Sequence, residues 1–222
     1  MRGYYFTPGE FAISNIALRR IKVSRFQDLN DPFELLAVDI GERDARAPIR
    51  AARDRLNQEK GLICFSRAWH NPLLWGHYAD KHRGVCLGFD VADESVENVI
   101  YARRPMKITV SSKTGQPKLT AKGINRLQRT KFMDWTYEDE VRYFVDFQDV
   151  VAEGPLHFKG FSSDIVLREV VLGPKCTFPI DGVRSLVQAF KPDVVVIQSR
   201  IAFRSFDVIE NKVATRKGRD GG

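Results

Sequence analysis

The 222-residue chain has no apolar run longer than a handful of residues, Val194 to Ile197 being among the longest. A membrane helix needs about 20, so neither a span nor a membrane partner is expected. The first residues, MRGYYFTPGE, lack the apolar stretch of a secretory leader. Cysteine is scarce: Cys64, Cys86 and Cys176 lie far apart, with no Cys-x-x-Cys pair. That spacing offers no metal signature. An odd number of thiols in apolar surroundings reads as reduced, buried cysteine in a cytoplasmic protein. The four histidines, His70, His77, His82 and His157, form no His-Glu-x-x-His, and five residues separate His77 from His82. No metal site is expected. G-x-G-x-x-G, a Walker loop and G-x-S-x-G are also missing. Dinucleotide-binding, P-loop and serine-hydrolase readings therefore have no signal.

One absence is local. From Asn98 to Met133 there is no acidic residue, against nine basic ones that include Arg103, Arg104, Lys107, Lys122, Arg126, Arg129 and Lys131. The whole chain carries +7, and without this stretch it would stand at −2. A cationic segment of this kind is a footprint for a phosphate backbone, and Arg103, Arg104, Lys107, Lys122, Arg126 and Arg129 are its candidate nucleic-acid contacts, to DNA or RNA. A second basic cluster, Lys212, Arg216, Lys217 and Arg219, lies near the Gly-ending terminus.

What remains is an ordinary globular composition, 43% hydrophobic and 28% charged, which excludes a disordered or fibrous chain. The length suits one domain that buries roughly 70% of its unfolded surface. The expected organisation is a single α+β domain over residues 1–210, with a basic insertion at about 103–131, followed by a basic flexible tail over 211–222.

Local patterns place the elements. Gly3 to Phe6 reads as a strand. A helix follows, with Thr7 as N-cap and Pro8 at its first position. Ile21 to Ser24 reads as a strand, and Asp28 to Glu34 (DLNDPFE) as a turn. Ala45 to Lys60 is helix-like, with Gly61 closing it. Leu62 to Ser66 and Val85 to Asp90 are apolar strands. They flank a helix that starts at Asn71-Pro72, runs to about His82 and ends before Gly84. Its Trp75, Tyr78, Ala79 and His82 share one face, a pattern that usually packs into a core. Val99 to Arg103 reads as a strand, Pro105 to Lys118 as a loop, and Leu119 to Phe132 as a basic amphipathic helix. Strands follow from Asp139 onward and at Arg168–Leu172, Asp193–Gln198 and Ala202–Ile209, with a helix near Val183–Phe190. Many strands with irregularly placed helices point to α+β rather than a βαβ array.

One strand carries chemistry. Alternate residues of a strand face the same way, so Glu138, Glu140 and Arg142 are expected on one face and Asp139, Val141 and Tyr143 on the other. Two carboxylates roughly 7 Å apart suit acid/base work or stabilisation of a developing cation. The alternative is a solvated face on which Arg142 neutralises a neighbour. Asp31 and Glu34 in the turn either bind a cation or ribose, or close the turn by side-chain hydrogen bonds.

Four motifs occur in order: NDPFE (Asn30–Glu34), CFS (Cys64–Ser66), LWGHYADKHRGVCLGF (Leu74–Phe89) and W-x-YEDE-x-R (Trp135–Arg142). Over roughly residues 4 to 175 this resembles a bacterial and phage-associated group, domain-of-unknown-function family 2971. More distantly it resembles ADP-ribosyltransferases, in which an opening strand, a central strand with Ser and a late strand with E-x-E surround NAD. That resemblance implies a mixed, mostly antiparallel split sheet with flanking helices. It also implies NAD as substrate, a nucleic acid or other macromolecule as acceptor, and a toxin or anti-phage defence effector. Glu140 corresponds to the catalytic glutamate, Glu138 to the glutamate two before it, and Ser66 to the central serine. The opening strand has Tyr4 and Tyr5, preceded by Arg2, where that family places Arg or His. Tyr5, Phe65 and Tyr78 would stack on nicotinamide, and Arg2 or Arg25 would pair with the pyrophosphate. Two rival expectations are a non-catalytic nucleic-acid-binding module and a metal-dependent nuclease using Asp31, Glu34, Glu138 and Glu140.

Overall fold

A computed structural model describes residues 1–39, 41, 43–107 and 120–217. In chain order the first half comprises β1 (Arg2–Thr7), α1 (Gly9–Ala17), β2 (Arg20–Val23), α2 (Arg43–Glu59), β3 (Lys60–Ser66), α3 (Pro72–Tyr78), β4 (Val85–Val91), β5 (Val96–Asn98) and β6 (Ile100–Ala102). The second half comprises α4 (Ala121–Gln128), β7 (Thr130–Phe132), β8 (Glu140–Asp146), β9 (Val151–Glu153), β10 (Leu156–Gly160), β11 (Ile165–Leu172), α5 (Ile180–Gln188), β12 (Val195–Ile201), β13 (Val208–Glu210) and α6 (Lys212–Lys217). Among the described residues, eight strands form one sheet in the order β13-β12-β11-β4-β1-β3-β8-β5. Every neighbouring pair in it is antiparallel except β11 and β12. The chain is α+β, as its patterning suggests, with a mixed, mostly antiparallel sheet and flanking helices.

The sheet has one weak seam. β1 pairs with β4 along its whole length, from Arg2↔Asp90 to Thr7↔Val85. Likewise β3 pairs with β8 from Lys60↔Asp146 to Ser66↔Glu140. Between β1 and β3, however, the register has a single paired position, Tyr4↔Ser66. The two halves of the sheet are joined there and part beyond it.

Apolar alternation explains the layers. The main core packs Ile63, Phe65, Leu87, Phe89, Val141 and Val170 from the strands against Ala12 and Ile16 of α1 and Val183 and Val187 of α5. Two smaller cores complete the fold. One gathers Phe26, Leu35, Leu56, Leu62 and Leu127. The other gathers Trp69, Trp75, Ala79, Cys86, Val171 and Val208.

Several local expectations are corrected. Thr7 ends β1, and Pro8 takes the cap position instead, its carbonyl accepting from the Ala12 N–H at 3.0 Å. Gly61 is a strand residue, not a helix stop: a Cβ there would come within 2.4 Å of the Val23 side chain. The segment Thr130–Phe132, expected as the end of a basic helix, leaves α4 and pairs in parallel with β6. Residues 202–207 are loop, so the last strand starts only at Val208. Lys212–Lys217, expected as tail, forms α6, and its Thr215 is buried and accepts from the Gln198 N–H at 3.2 Å. Most of the Pro105–Lys118 loop and residues 218–222 of the tail lie outside the described residues.

The helix after Asn71 keeps its start and loses its end. The Asn71 side chain accepts from the Leu73 N–H at 2.9 Å, and Pro72 sits in the first turn. After Tyr78 the chain turns left-handed at Asp80, Lys81 and His82 (φ 43°, 52° and 73°). Non-glycine residues in this region carry strain that surrounding structure must impose. Here Gly84 and Gly173 impose it. The Gly84 N–H donates to the Ala79 carbonyl at 2.8 Å, and the Lys175 N–H donates to the His82 carbonyl at 3.0 Å. A Cβ on Gly84 would lie 2.3 Å from the Thr7 carbonyl oxygen, and one on Gly173 would lie 2.4 Å from that of His82. Both contacts are with backbone, which cannot rotate away. Gly84→Ala is therefore expected to lower the melting temperature by about 2–12 °C, from an overpacking cost of about 1–3 kcal/mol in a domain of this size. Thermal unfolding followed by circular dichroism measures it, and an unchanged midpoint would mean that the turn is not held this way.

Candidate functional site

Where β1 and β3 part, a cleft of about 470 Å³ opens between the two smaller cores. Tyr4, Tyr5 and Phe6 of β1 line one side, and Cys64, Phe65 and Ser66 of β3 the other. Asn30 from the turn after β2 and His77 and Tyr78 from α3 stand above, with Lys131, Glu138 and Glu140 at the end. Trp75 anchors α3 against this opening. Its indole N–H donates to the Trp69 carbonyl at 2.6 Å, and its ring meets Phe6 edge-on at 5.2 Å.

Glu138 and Glu140 come together, although not by strand alternation. Residues Met133–Glu138 form a 3-10 turn, Asp139 adopts a left-handed conformation (φ 43°), and β8 starts only at Glu140. The Ser66 hydroxyl donates to the Glu138 carbonyl at 2.6 Å, and the Glu140 N–H donates to the Tyr101 hydroxyl at 2.9 Å. These bonds fix the turn on the end of β3.

The two carboxylates share a buried cation. The Lys131 ammonium pairs with Glu140 Oε2 at 3.0 Å and with Glu138 Oε2. Behind Glu140 lies Arg142, fully buried. Its Nε donates to Glu140 Oε1 at 2.8 Å, and its two Nη groups fork onto both oxygens of Glu34, one at 3.0 Å. Arg142 Nη1 also reaches the Gln128 carbonyl at 2.6 Å. The reading of this face as solvated is thus corrected: three carboxylates and two cations are enclosed together. The Glu34 side chain belongs to this network, while its backbone N–H closes the turn on the Asp31 carbonyl at 3.1 Å. Asp31 closes the turn itself, its Oδ1 accepting from the Phe33 N–H at 2.9 Å.

The surroundings drive the two glutamates apart. Burial disfavours the charge on Glu140, but Arg142 and Lys131 together outweigh it and hold its carboxyl at about 2. For Glu138 burial wins over its single cation, Lys131, and over the Tyr78 hydroxyl, and its carboxyl lies above the usual 4.5. The Tyr78 hydroxyl donates to Glu138 Oε1 and accepts from Asn30 Nδ2 at 2.6 Å. Burial and the Glu138 charge push that phenol far up, so it stays a donor. Burial, followed by Glu140, pushes Cys64 well above the ordinary thiol value. Cys64 is therefore a thiol in the cleft wall and not a thiolate nucleophile. All three cysteines are free.

Of the residues singled out from sequence, Glu138, Glu140, Ser66, Tyr5, Phe65 and Tyr78 border one cleft. Phe65, however, is 1% exposed and belongs to the core, so it offers no face to a ligand. Tyr5 is half-buried and meets Phe65 edge-on at 6.5 Å. Arg2 is not among the lining residues. Its strand partner across β4 is Asp90, which it pairs at 2.9 Å, and Glu169 takes its other nitrogen. Arg25 also lies off the cleft, 5.5 Å from the Phe147 ring, while Ser24 takes the cleft-facing place. Arg129 pairs with Glu97 at 2.8 Å. By contrast Arg103, Arg104, Lys107, Lys122 and Arg126 are exposed, and their side chains have no ion pair among the described residues. The described residues contain no cluster of three or more His, Cys, Asp or Glu with metal-binding geometry. Of the four carboxylates that the nuclease reading would use, Glu34, Glu138 and Glu140 are paired with Lys131 or Arg142, and Asp31 is held in its own turn through Oδ1.

Lys131 is the residue that sequence reasoning missed in the site, having counted it only as one charge of a basic run. Tyr4, Asn30 and His77 were likewise unassigned. Trp135, Tyr137 and His77 form an aromatic rim, with centroids 5.9–6.4 Å apart, and the Lys131 ammonium lies 5.0 Å from the Trp135 centroid.

Residues 74–143 match the family described as Protein of unknown function (DUF2971). The likeness to family 2971 therefore stands over this segment, which runs from α3 to Tyr143 and contains Tyr78, Lys131, Glu138 and Glu140. No curated protein and no solved structure matches the chain. Among the described residues no helix is long and apolar enough to cross a membrane.

Proposed function

We propose that this protein transfers ADP-ribose from NAD to a nucleic acid or another macromolecule, as an effector of the toxin or anti-phage kind. The observation that carries this reading is the cleft at the parting of β1 and β3, with an ionised Glu140 beside a Glu138 that holds its proton to higher pH. Two carboxylates driven apart in this way divide the labour of one reaction. The glycosidic bond from C1′ to nicotinamide breaks, and its electron pair leaves with nicotinamide. The ribose acquires oxocarbenium character, which the fixed Glu140 carboxylate stabilises without reorganisation. The acceptor's nucleophilic atom bonds to C1′, and its proton passes to Glu138, whose raised pKa makes it the stronger base. Tyr4, Tyr5 and His77 supply aromatic surface for the nicotinamide ring.

Incubation with labelled NAD and separate pools of DNA, RNA and protein tests this. Label in one pool is the expected result. The absence of both transfer and NAD hydrolysis from folded protein would overturn it. A second reading, binding without chemistry, is favoured by the five cations of the basic segment that have no ion pair among the described residues. It would appear in the same pools as salt-dependent retention indifferent to Glu140→Gln.

A further inference from the structure

A second cavity, of about 380 Å³, lies beside the cleft, and Lys131 lines both. Its lining is dominated by apolar groups, chiefly Phe33 and Phe132, and includes Arg103 and Arg104. Phe33 is 58% exposed and Phe132 42%. Neither ring contributes to a core, and both line this one cavity. Phe33 is the aromatic of the NDPFE turn, and nothing in the turn's own hydrogen bonding requires it. Arg103 and Arg104 are exposed and have no acidic partner among the described residues.

An apolar slot with uncommitted guanidinium groups beside it matches one chemistry well. A nucleobase presents a flat face to aromatic rings, and its phosphate accepts from an arginine fork. In a duplex the base is paired and stacked, and placing it between side chains in such a slot requires extruding it. In a single strand the base is already free. Exposed Lys107, Lys122 and Arg126 extend the positive surface for flanking phosphates. We propose that this cavity binds an unpaired base of a single-stranded nucleic acid, with adjoining phosphates on Arg103 and Arg104. The binding stands apart from the transferase reading. Only the further step rests on that reading: Lys131, common to both cavities, places the strand beside Glu138 and Glu140 as the acceptor.

The experiment is fluorescence anisotropy without NAD, using a labelled 12-residue single strand of DNA or RNA. The matching duplex and inorganic polyphosphate compete. The single strand is expected to bind at least tenfold more tightly than either. Phe33→Ala and Phe132→Ala should each weaken it roughly tenfold while leaving the salt dependence in place. Arg103→Ala and Arg104→Ala should each flatten the slope against log salt by about 0.7. Both phenylalanines are exposed, so an unchanged melting temperature is the control, and Phe33→Leu serves if an alanine variant fails to fold. Equal binding of duplex or polyphosphate, or indifference to both phenylalanines, would overturn the proposal. Binding that survives while Glu140→Gln and wild type alike transfer nothing would sink the transferase reading alone.

Discussion

Glu140→Gln is expected to lower ADP-ribosyl transfer by about 100- to 1,000-fold, the usual loss when one preorganised electrostatic group is removed from a transition state. The amide keeps the shape of the carboxylate and still accepts from Arg142 Nε, 2.8 Å away. What it lacks is the charge facing the developing cation. Glu138→Gln should differ in kind. Glu138 acts as a base only when ionised, so wild-type rate should rise with pH through its raised pKa, and that limb should vanish in the variant. Initial rates across pH 4–8, with label transfer as readout, separate the two. A Glu140→Gln enzyme within tenfold of wild type would remove Glu140 from the chemistry.

Stability against pH tests the same assignment without substrate. Glu140 sits at about 2 in the folded chain, against 4.5 unfolded. Above 4.5 its pairing contributes in full. Between 4.5 and about 2 the unfolded chain takes up a proton that the folded one does not, and stability falls as pH falls. Glu138 has the opposite sign. With its folded value above 4.5, the folded chain holds the extra proton, and stability falls as pH rises through that window. Glu140→Gln should flatten the acid limb, and Glu138→Gln should remove the decline above it.

The parts of this arrangement visible in the sequence were those written in local pattern. Apolar runs marked β3 and β4, and Asn71-Pro72 marked the start of α3, because caps and alternation act within a few residues. The resemblance to ADP-ribosyltransferases, not local pattern, set Ser66 with Glu138 and Glu140, and β3 and β8 do bring Ser66 opposite Glu140. Alternation nevertheless gave Glu138 the wrong reason for its place: Asp139 adopts a left-handed turn that no propensity of aspartate before glutamate dictates. Lys131 was hidden because β7 pairs in parallel with β6, some thirty residues earlier, and a three-residue strand has no period of its own. The strain at Asp80–His82 was equally illegible, being imposed by Gly173, which is remote in sequence. The seam between β1 and β3 follows from register, and register follows from packing on both faces of the sheet.

Removing Arg142 should cost more stability than any other single change in the site. Its guanidinium is fully enclosed and ties β8 to Glu34 of the NDPFE turn and to the Gln128 carbonyl at the end of α4. Arg142→Ala leaves two buried carboxylates without their strongest partner, and unpaired buried charge costs about 3–5 kcal/mol. In a domain of this length that corresponds to roughly 6–20 °C in melting temperature. Arg142→Lys restores a charge but not the fork, so it should recover only part of the loss. The decisive comparison is Arg142→Met with Glu34→Gln. The single Arg142→Met variant strands the Glu34 charge, whereas the double variant removes it. The double should therefore be more stable than Arg142→Met alone, the non-additivity expected of residues joined in one network. Additive losses would mean that the network is incidental to the fold.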